Sequence, residues 1–515
     1  MPWSRRKFLG TGGMVAGGAL AGVRAMAGGG PDIEPSDGPN ILYIYTDQLR
    51  NDALAISGNP VAYTPNIDRL ARGGVQFERC YTNSPLCRPA RLSMATGVHP
   101  SVHGVQTNSD PEVMPLDVPS HIRAMRDISG YRTALVGKSH LHTGDGHMDD
   151  WAHIMSDWGY SEVVETSGEF MSRNKQSGFT DALTAMTPPA ATDLYEVHQD
   201  FMNHYAEHWH RLKEWETQPI DAAPWGLGLE HHIDTFVAET VAAWLHTVER
   251  DRPWYMQCNF PGPHPPWNAP SRFLDYYLRR IDDIPVGVFE AAPRPWSKLV
   301  QMMHEEVGAP RSIDQVRLMR AKYLARVSML DILVGRVLAA LEESGQADNT
   351  WVILSSDHGE MMGDQRLVGK IVFFEPSVRI PLIVRPPTSL GATPFRSDAL
   401  TDQMDVVATI LDLGGAHPDL LPEPPEGVSL VRKVLDGPDM PDAHVGRDSI
   451  FAEVYNHAML FDGRYKVVVD ETTMEAVEVY DLDADANEQT NFVGTADYAD
   501  VEASALAQVT ERLAE

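Results

Sequence analysis

Short apolar runs of strand length alternate with helical stretches along most of this 515-residue chain. The runs are continuously apolar, which is typical of strands buried on both faces. This alternation predicts an α/β fold with a large, mostly parallel sheet sandwiched by helices. The first run, residues 40–45, stops at the polar residues Thr46, Asp47 and Gln48. Because open parallel sheets bind ligands outside the carboxyl ends of their strands, we expect chemistry at this edge.

The remaining elements of the predicted catalytic domain repeat this alternation of strands and helices. Further strands are predicted at residues 75–81, 133–136, 254–260, 351–354 and 381–384, and helices at 64–73, 120–128, 233–249 and 313–341. Residues from about 145 to 230 break the alternation, because they are rich in Trp, His, Met and Pro and show little periodicity. We predict that they form an insertion near the active face of an α/β domain that spans residues 38–415.

The character of the chain changes after residue 415. Short β-rich runs at 450–454, 465–469 and 477–480 are followed by a helix from about residue 500. Short strands that follow one another closely are typical of antiparallel sheets. We therefore expect residues 416–515 to form a smaller C-terminal α+β subdomain, in which a helix covers an antiparallel sheet.

The N-terminus has the features of an export signal. Arg5 and Arg6 precede a mildly apolar, Gly- and Ala-rich stretch, and Ala25-Met26-Ala27 fits a cleavage site. This pattern predicts a twin-arginine signal peptide over residues 1–28. We expect the twin-arginine translocase to export the folded protein, and we expect a periplasmic or secreted bacterial location.

The charge of the chain excludes two classes of partner. Asp and Glu total 72 against 42 Lys and Arg, a formal net charge of -30 that would repel phosphate backbones and anionic lipid headgroups.

No segment approaches the roughly 20 apolar residues of a membrane span, so we expect none in the mature protein. The three cysteines, Cys80, Cys87 and Cys258, are too few for a disulfide framework.

Cys87 is the cysteine best placed to react. The sequence Cys87-Arg88-Pro89-Ala90-Arg91 lies between a predicted strand and a predicted helix, and Pro89 suits the first helical turn. A helix N-terminus lowers the pKa of a thiol and stabilises nearby anions. The alternative interpretation is a small buried apolar side chain, as most free cysteines are.

The motif C-x-P-x-R followed by T-G resembles the signature of type I, formylglycine-dependent sulfatases, a family of the alkaline phosphatase superfamily. Other stretches resemble landmarks of that family, in family order and over almost the whole chain. They are residues 40–42 leading to Asp47, residues 64–70, Gly137-Lys138-x-His140, Pro263-His264-x-Pro266, residues 356–360 and residues 480–482. An ordered set of motifs is far more specific than a single one.

The resemblance implies a covalent modification of Cys87. In this family the cysteine is oxidised to formylglycine by a dedicated machinery, which would act here before export. One hydroxyl of the hydrated aldehyde, ionised by a metal, would attack sulfur, and the other would later expel sulfate. The resemblance places Arg91, one helical turn after Cys87, beside this diol.

Two polar pairs, Asp47-Gln48 and Asp357-His358, follow predicted neighbouring strands. The resemblance implies that these four residues and the modified Cys87 bind one divalent cation. Oxygen donors suit Ca²⁺ or Mg²⁺, and a histidine nitrogen also admits Mn²⁺ or Zn²⁺. Ca²⁺ is the first choice by resemblance. Many arylsulfatases have Asp at the position of Gln48 and Asn at that of His358, and the pattern here is closer to choline sulfatases and phosphonate monoester hydrolases.

The resemblance also implies a cationic cradle for the sulfate group. Lys138, His140, His264 and Lys370 match family positions around the sulfate, and Asn108 matches a sulfate-binding asparagine. His264 or Lys370 is the candidate general acid for the leaving alcohol. Taken alone, each lysine would be interpreted as a solvated surface group and each histidine as a structural one. Histidines without such a match keep the structural interpretation: His103, His142, His231 and His232.

The expected function is hydrolysis of aryl, alkyl or sugar sulfate monoesters. Lys138 and His140 favour sulfate over phosphonate, because phosphonate monoester hydrolases of the Asp-Gln group carry uncharged hydroxyl side chains there. The first alternative is a phosphonate monoester or phosphodiester hydrolase with the same nucleophile and metal. The second is a non-catalytic anion-binding protein in which Cys87 is never converted.

Overall fold

The computed structural model describes most of the chain. The described residues are 24–25, 37–110, 118, 120–142, 144, 146–169, 171–188, 191–209, 225–290, 292–306, 310, 312–416, 426–440 and 446–514. Apart from residues 24–25, the predicted signal peptide lies outside them. No helix in these ranges is long and apolar enough to cross a membrane.

The described strands and helices occur in the following order. The strands are β1 (Arg24–Ala25), β2 (Asn40–Asp47), β3 (Val75–Tyr81), β4 (Arg132–Lys138), β5 (Glu162–Thr166), β6 (Trp254–Pro263), β7 (Thr350–Ser356), β8 (Arg379–Arg385), β9 (Phe395–Asp402), β10 (Ile450–Val454), β11 (His457–Phe461), β12 (Tyr465–Asp470) and β13 (Glu475–Asp481). The helices are α1 (Pro65–Ala71), α2 (Cys87–Thr96), α3 (Pro100–His103), α4 (His121–Asp127), α5 (Ala152–Asp157), α6 (Gly178–Met186), α7 (Leu194–Trp209), α8 (Ile233–Thr247), α9 (Ser271–Leu278), α10 (Lys298–Glu306), α11 (Ile313–Glu343), α12 (Glu375–Val378), α13 (Gln403–Gly414), α14 (Val431–Asp436) and α15 (Ala499–Ala514).

A large, mostly parallel sheet forms the centre of the molecule. Its strand order is β1-β5-β4-β6-β2-β7-β8-β3-β9. Strands β5, β4, β6, β2 and β7 pair in parallel, whereas β8 runs antiparallel to both of its neighbours. One face is covered by α8, α9 and α11, and the other by α2, α4 and α13. The predicted fold class is confirmed.

The register of the sheet brings several strand ends to one edge. Thr46 of β2 pairs with Ser356 of β7, so Asp47 and Asp357 leave the two strands side by side. On the other side of β2, Asp47 pairs with Pro263 of β6. Strand β4, which ends at Lys138, lies next to β6. Four polar segments therefore meet at the carboxyl edge of the sheet.

A second, antiparallel sheet follows in the order β10-β11-β12-β13. Apolar residues of α15, including Ala505 and Val509, pack against this sheet in a separate apolar cluster. The predicted antiparallel sheet with its covering helix is confirmed. The other face of the sheet packs against residues that follow β3 and β7.

Besides the two-residue strand β1, three strands were not expected from the sequence. β5 lies inside the stretch 145–230, where we predicted an insertion, yet it pairs in parallel with β4 in the main sheet. β9 is an edge strand with an exposed, polar first half, so its sequence lacks a continuous apolar run. β11 follows β10 through a two-residue turn at Tyr455 and Asn456, both with positive φ. That turn contains no glycine, so the hairpin gave little sequence signal.

Candidate active site

The two acidic strand ends converge in the interior of the molecule. Asp47 ends β2 and Asp357 directly follows β7, and both side chains are fully buried. The backbone N–H of Gln48 donates to Oδ1 of Asp357 over 2.9 Å. Gln48 has a φ of 70°, and this turn at the end of β2 holds the two segments together.

Cys87 is the first residue of α2, and its thiol points into the same place. Its Sγ lies 3.7 Å from Oδ1 of Asp47 and 3.2 Å from Nε2 of His358. One ligand atom from each of Asp47, Cys87, Asp357 and His358 can be chosen so that all four lie within 4.8 Å of one another. All four residues are buried, so this group is a candidate metal centre.

The contacts of His358 leave one ring nitrogen free to coordinate a metal. Nδ1 lies 2.9 Å from the carbonyl oxygen of Gly359, which can only accept a hydrogen bond. Nδ1 must therefore carry a proton, and in the neutral ring Nε2 keeps its lone pair. That nitrogen faces Cys87 and lies 3.6 Å from Oδ1 of Asp357.

Arg91 binds both sides of this centre. The i, i+4 spacing on α2 puts its side chain on the same helix face as Cys87. Nε donates to Oδ2 of Asp357 over 3.0 Å, and Nη1 donates to the carbonyl oxygen of Lys138 over 2.8 Å. Nη2 lies 3.6 Å from Oδ2 of Asp47. The guanidinium is buried and therefore supplies a fixed positive charge beside the thiol.

Three further cationic or proton-carrying groups surround the thiol. Nζ of Lys370 lies 2.8 Å from Sγ of Cys87 and 2.8 Å from Oε1 of Gln48. Nζ of Lys138 donates to Oδ2 of Asp47. His140 has a φ of 59°. Burial lowers the pKa of His140 to about 4, with a hydrogen bond to Cys87 opposing this shift. At neutral pH His140 is therefore an uncharged base.

The cationic groups change the ionisation of the buried thiol and carboxyl groups. Burial raises the pKa of Cys87, but the charges of Lys370, Lys138 and the protonated form of His358 outweigh burial and hold the pKa well below its ordinary value. The pKa of Asp357 is raised by burial and by the neighbouring Asp47. The pKa of Asp47 is instead held below its ordinary value, because the charges of Lys138, His264 and Arg91 outweigh its burial. The shifts therefore indicate that anions are stabilised at positions 47 and 87, whereas the negative charge of Asp357 is not fully compensated.

His264 and Asn108 lie at the periphery of this group. His264 follows β6, and its Nδ1 lies 2.7 Å from the carbonyl oxygen of Pro265. Nδ1 therefore carries a proton, which leaves Nε2 as the nitrogen that can serve a ligand. Asn108 accepts a hydrogen bond from the backbone N–H of Arg88 over 3.0 Å, so it lies at the N-terminus of α2. The structure thus gathers the predicted site residues around one end of α2.

Sequence reasoning missed three buried carboxylates that support this site. Glu360 accepts a hydrogen bond from Nε2 of Gln48. Glu165 accepts one from Ser139, which lies between Lys138 and His140. Glu169 accepts one from Asn268, which follows His264 by four residues. Only Glu360 belongs to a stretch that drew attention, residues 356–360, while nothing in the sequence distinguishes Glu165 or Glu169 from surface glutamates.

Two family models match the chain. The sulfatase model matches residues 39–416. The model of the N-sulphoglucosamine sulphohydrolase C-terminal region matches residues 363–515.

Individual proteins are similar over nearly the full length. An arylsulfatase of Clostridium perfringens is 26% identical, and the match covers 89% of this chain and 91% of the arylsulfatase. A choline-sulfatase of Rhizobium meliloti is 27% identical, with coverage of 88% and 82%. The crystal structure of a phosphonate monoester hydrolase of Agrobacterium radiobacter has a TM-score of 0.72 at 24% identity, with coverage of 92% and 95%, and it shares the fold. From these matches, the chain belongs to the sulfatase family of the alkaline phosphatase superfamily, and it is an enzyme of the sulfuric-ester hydrolase class.

Proposed function

We propose that this enzyme hydrolyses sulfate monoesters with a formylglycine formed from Cys87 and one divalent cation, and that it releases sulfate and an alcohol. The proposal is carried by one observation. Sγ of Cys87 lies in a buried group with two carboxylates and His358, and the cations Arg91, Lys138 and Lys370 surround that group. A sulfate ester is an anion, and this is a cluster of cations in an acidic protein.

The residues present fit a divalent cation. Asp47 and Asp357 supply carboxylate oxygens, Gln48 can supply an amide oxygen, and His358 keeps a lone pair on Nε2. The raised pKa of Asp357 indicates negative charge that the protein does not compensate by itself. We propose Ca²⁺, because oxygen donors predominate. When bound, the cation would lower the pKa of a hydroxyl group at position 87.

The side chains around Cys87 can be given separate roles. When formed, a hydrated formylglycine supplies one hydroxyl that attacks sulfur and a second whose deprotonation expels sulfate. Arg91 and Lys138 hold positive charge beside these oxygens and beside the non-bridging oxygens of the ester. His140 is uncharged at neutral pH and can take a proton at position 87. Asn108 can donate to the ester from the start of α2.

We assign protonation of the leaving alcohol to His264. Nζ of Lys370 is held between Gln48 and Cys87, so we propose that this lysine compensates the negative charge of the sulfate group. His264 holds its Nδ1 proton against Pro265 and can present Nε2–H to the ester oxygen when the ring is charged. General acids of this kind contribute about 10²–10⁴-fold to a rate.

The relatives' names and the N-terminus suggest a substrate range and a location. Relatives named arylsulfatase and choline-sulfatase support small sulfated substrates, and we propose aryl, alkyl or sugar sulfates. We also propose that the modification of Cys87 is completed before the twin-arginine translocase exports the protein to the periplasm or the medium.

The modification can be tested by a peptide map of active enzyme. We expect the peptide that contains Cys87 to have the mass of formylglycine and to react with an aldehyde reagent. Cys87→Ala should abolish turnover without unfolding the protein, whereas Cys258→Ala, which changes a core cysteine, should keep the aldehyde. A fully active preparation that contains only the unmodified thiol at Cys87 would disprove the proposal.

A phosphonate monoester or phosphodiester hydrolase is the second candidate function. It is favoured by the residue pairs Asp47-Gln48 and Asp357-His358, which resemble those of phosphonate monoester hydrolases, and by the shared fold. Lys138 and His140 favour the sulfatase, because both groups lie beside the nucleophile position and match the sulfatase pattern.

A further inference from the structure

A second buried charge cluster lies behind the candidate active site. Arg326, in the middle of α11, is completely buried. Its Nη2 donates to Oε2 of Glu169 over 2.9 Å and to Oδ2 of Asp234 over 3.0 Å. His232 contacts Nη1 of the same guanidinium. None of these residues touches the thiol of Cys87 or the candidate metal ligands, so the proposed chemistry does not explain the cluster.

Both carboxylates of the cluster hold residues 262–268, which comprise the last two residues of β6 and the loop that follows it; we call this stretch the 262–268 loop. Asp234 accepts a hydrogen bond from the backbone N–H of Gly262 over 3.0 Å. Glu169 accepts one from Nδ2 of Asn268 over 2.6 Å. His264 lies between these two anchors. One guanidinium therefore joins the carboxylates that fix the start and the end of the loop that carries His264.

The bridging guanidinium of Arg326 compensates the two carboxylates that anchor the loop. Glu169 and Asp234 are both buried, and two buried carboxylates without a cation between them repel each other and lack solvation. The packing is also tight, because a β-carbon at Gly262 would collide with the carboxylate of Asp234 and the guanidinium of Arg326. Loss of the bridge would leave the two carboxylates to repel each other at the anchors of the loop, and we expect this to shift the loop.

We propose that Arg326 is a positioning residue for His264. By bridging Glu169 and Asp234 it holds both ends of the 262–268 loop, and it thereby sets the position from which His264 protonates the leaving alcohol. This inference rests on the proposed role of His264 as the general acid. Arg326 itself touches neither substrate nor metal.

The test measures how steeply the rate depends on the leaving group. The substrates are 4-nitrophenyl sulfate, whose leaving group needs little protonation, and phenyl sulfate, whose leaving group needs it. His264→Ala should slow phenyl sulfate about 100-fold more than 4-nitrophenyl sulfate. Arg326→Lys keeps the charge but cannot bridge two carboxylates in the same way, and it should slow phenyl sulfate about tenfold more than 4-nitrophenyl sulfate. The quantity compared is the ratio of the rate on 4-nitrophenyl sulfate to the rate on phenyl sulfate. Added to His264→Ala, Arg326→Lys should bring no further change in this ratio.

Two more variants keep the test decisive. Asn268→Ala removes only the far anchor and no charge, so it should change the ratio in the same direction even if Arg326→Lys does not fold. Arg447→Lys is the matched control, because Arg447 likewise joins two buried carboxylates, those of Asp402 and Asp405, which hold the start of α13 rather than residues 262–268. It should lower stability without changing the ratio.

Three outcomes would overturn the inference. The first is an equal loss of rate on both substrates in Arg326→Lys and Asn268→Ala. The second is the same change of ratio in Arg447→Lys, which would show a general effect of lost stability. The third is a normal ratio in His264→Ala, which would remove the general acid from the proposed function and the inference with it.

Discussion

Glu360 determines which end of the Gln48 amide faces the candidate metal centre. A carboxylate only accepts hydrogen bonds, so Nε2 of Gln48 must point at Glu360. Oε1 is then turned the other way, where Nζ of Lys370 lies 2.8 Å from it. Glu360 is completely buried and also accepts from the backbone N–H of Met362 over 3.2 Å, so its own position is fixed.

Glu360→Gln should therefore weaken metal binding. The new amide can donate to Gln48 as well as accept, so Lys370 alone then favours the orientation that presents the Gln48 oxygen. We expect metal affinity about 10–100-fold lower, as is usual when a group that orients a metal ligand is changed. Metal content after dialysis against graded chelator measures this. Glu478→Gln, at a buried glutamate of the C-terminal sheet, is the control, and an unchanged metal content in Glu360→Gln would contradict the argument.

Lys138 and His140 should make sulfate monoesters better substrates than phosphonate monoesters. Lys138 binds Asp47 beside the nucleophile position, and His140 is an uncharged base there at neutral pH. A base at this place can take the proton whose loss expels sulfate. We expect kcat/KM to be higher for aryl sulfates than for matched phenyl phosphonate esters. Lys138→Ala and His140→Ala should lower the sulfate rate selectively, and equal losses on both ester classes would refute this assignment.

At the scale of elements, the sequence predicted the parts of the site that lie at the ends of buried strands. β2 and β7 are continuous apolar runs that stop at acidic residues, and neighbouring parallel strands end at the same edge. The juxtaposition of Asp47 with Asp357 could therefore be expected, and it is observed. The position of Cys87 at the start of α2 followed from Pro89 and from the strand before it.

The supporting contacts could not be predicted in this way. Glu169 and Arg326 are 157 residues apart, and neither stands at a strand end or in a recognisable motif. β5 escaped detection because it has two glutamates in five residues, although these reach Arg132 and Ser139 in neighbouring segments. Such pairings depend on how helices and loops pack on the sheet, which short-range patterns do not record.

At the scale of the whole molecule, a buried glutamate joins the two sheets. Glu453 lies on β10 of the C-terminal sheet and is completely buried. Its backbone N–H donates to the carbonyl oxygen of Asn83, which follows β3, over 2.9 Å. Its Oε2 accepts from the backbone N–H and the hydroxyl of Ser101, each over 3.0 Å. The contact spans the region where the C-terminal sheet meets the catalytic domain near α2.

Ionisation of Glu453 should weaken this junction as the pH rises. Burial raises the pKa of Glu453 from 4.5 to about 7, with the hydrogen bonds from Ser101 opposing the shift and the charge of Glu471 adding to it. Because the folded-state pKa lies above the unfolded value, folding favours the neutral carboxyl. The contribution of Glu453 to the free energy of unfolding is therefore fully present below pH 4.5 and is lost as the pH rises through about 7. At about 1.4 kcal/mol per pKa unit, the loss is about 3 kcal/mol.

Glu453→Gln should remove this pH dependence, because a neutral amide oxygen can still accept both hydrogen bonds from Ser101. Urea unfolding of wild type and variant would be compared at pH 5 and pH 8. The stability of the variant relative to wild type should be about 2–3 kcal/mol more favourable at pH 8 than at pH 5. Glu475→Gln, at an exposed residue of the same sheet, should show no such difference. If the relative stability of Glu453→Gln did not change with pH, Glu453 would have to be ionised in the folded protein throughout this range. The junction would then rest on the apolar contacts between the two sheets rather than on a neutral carboxyl.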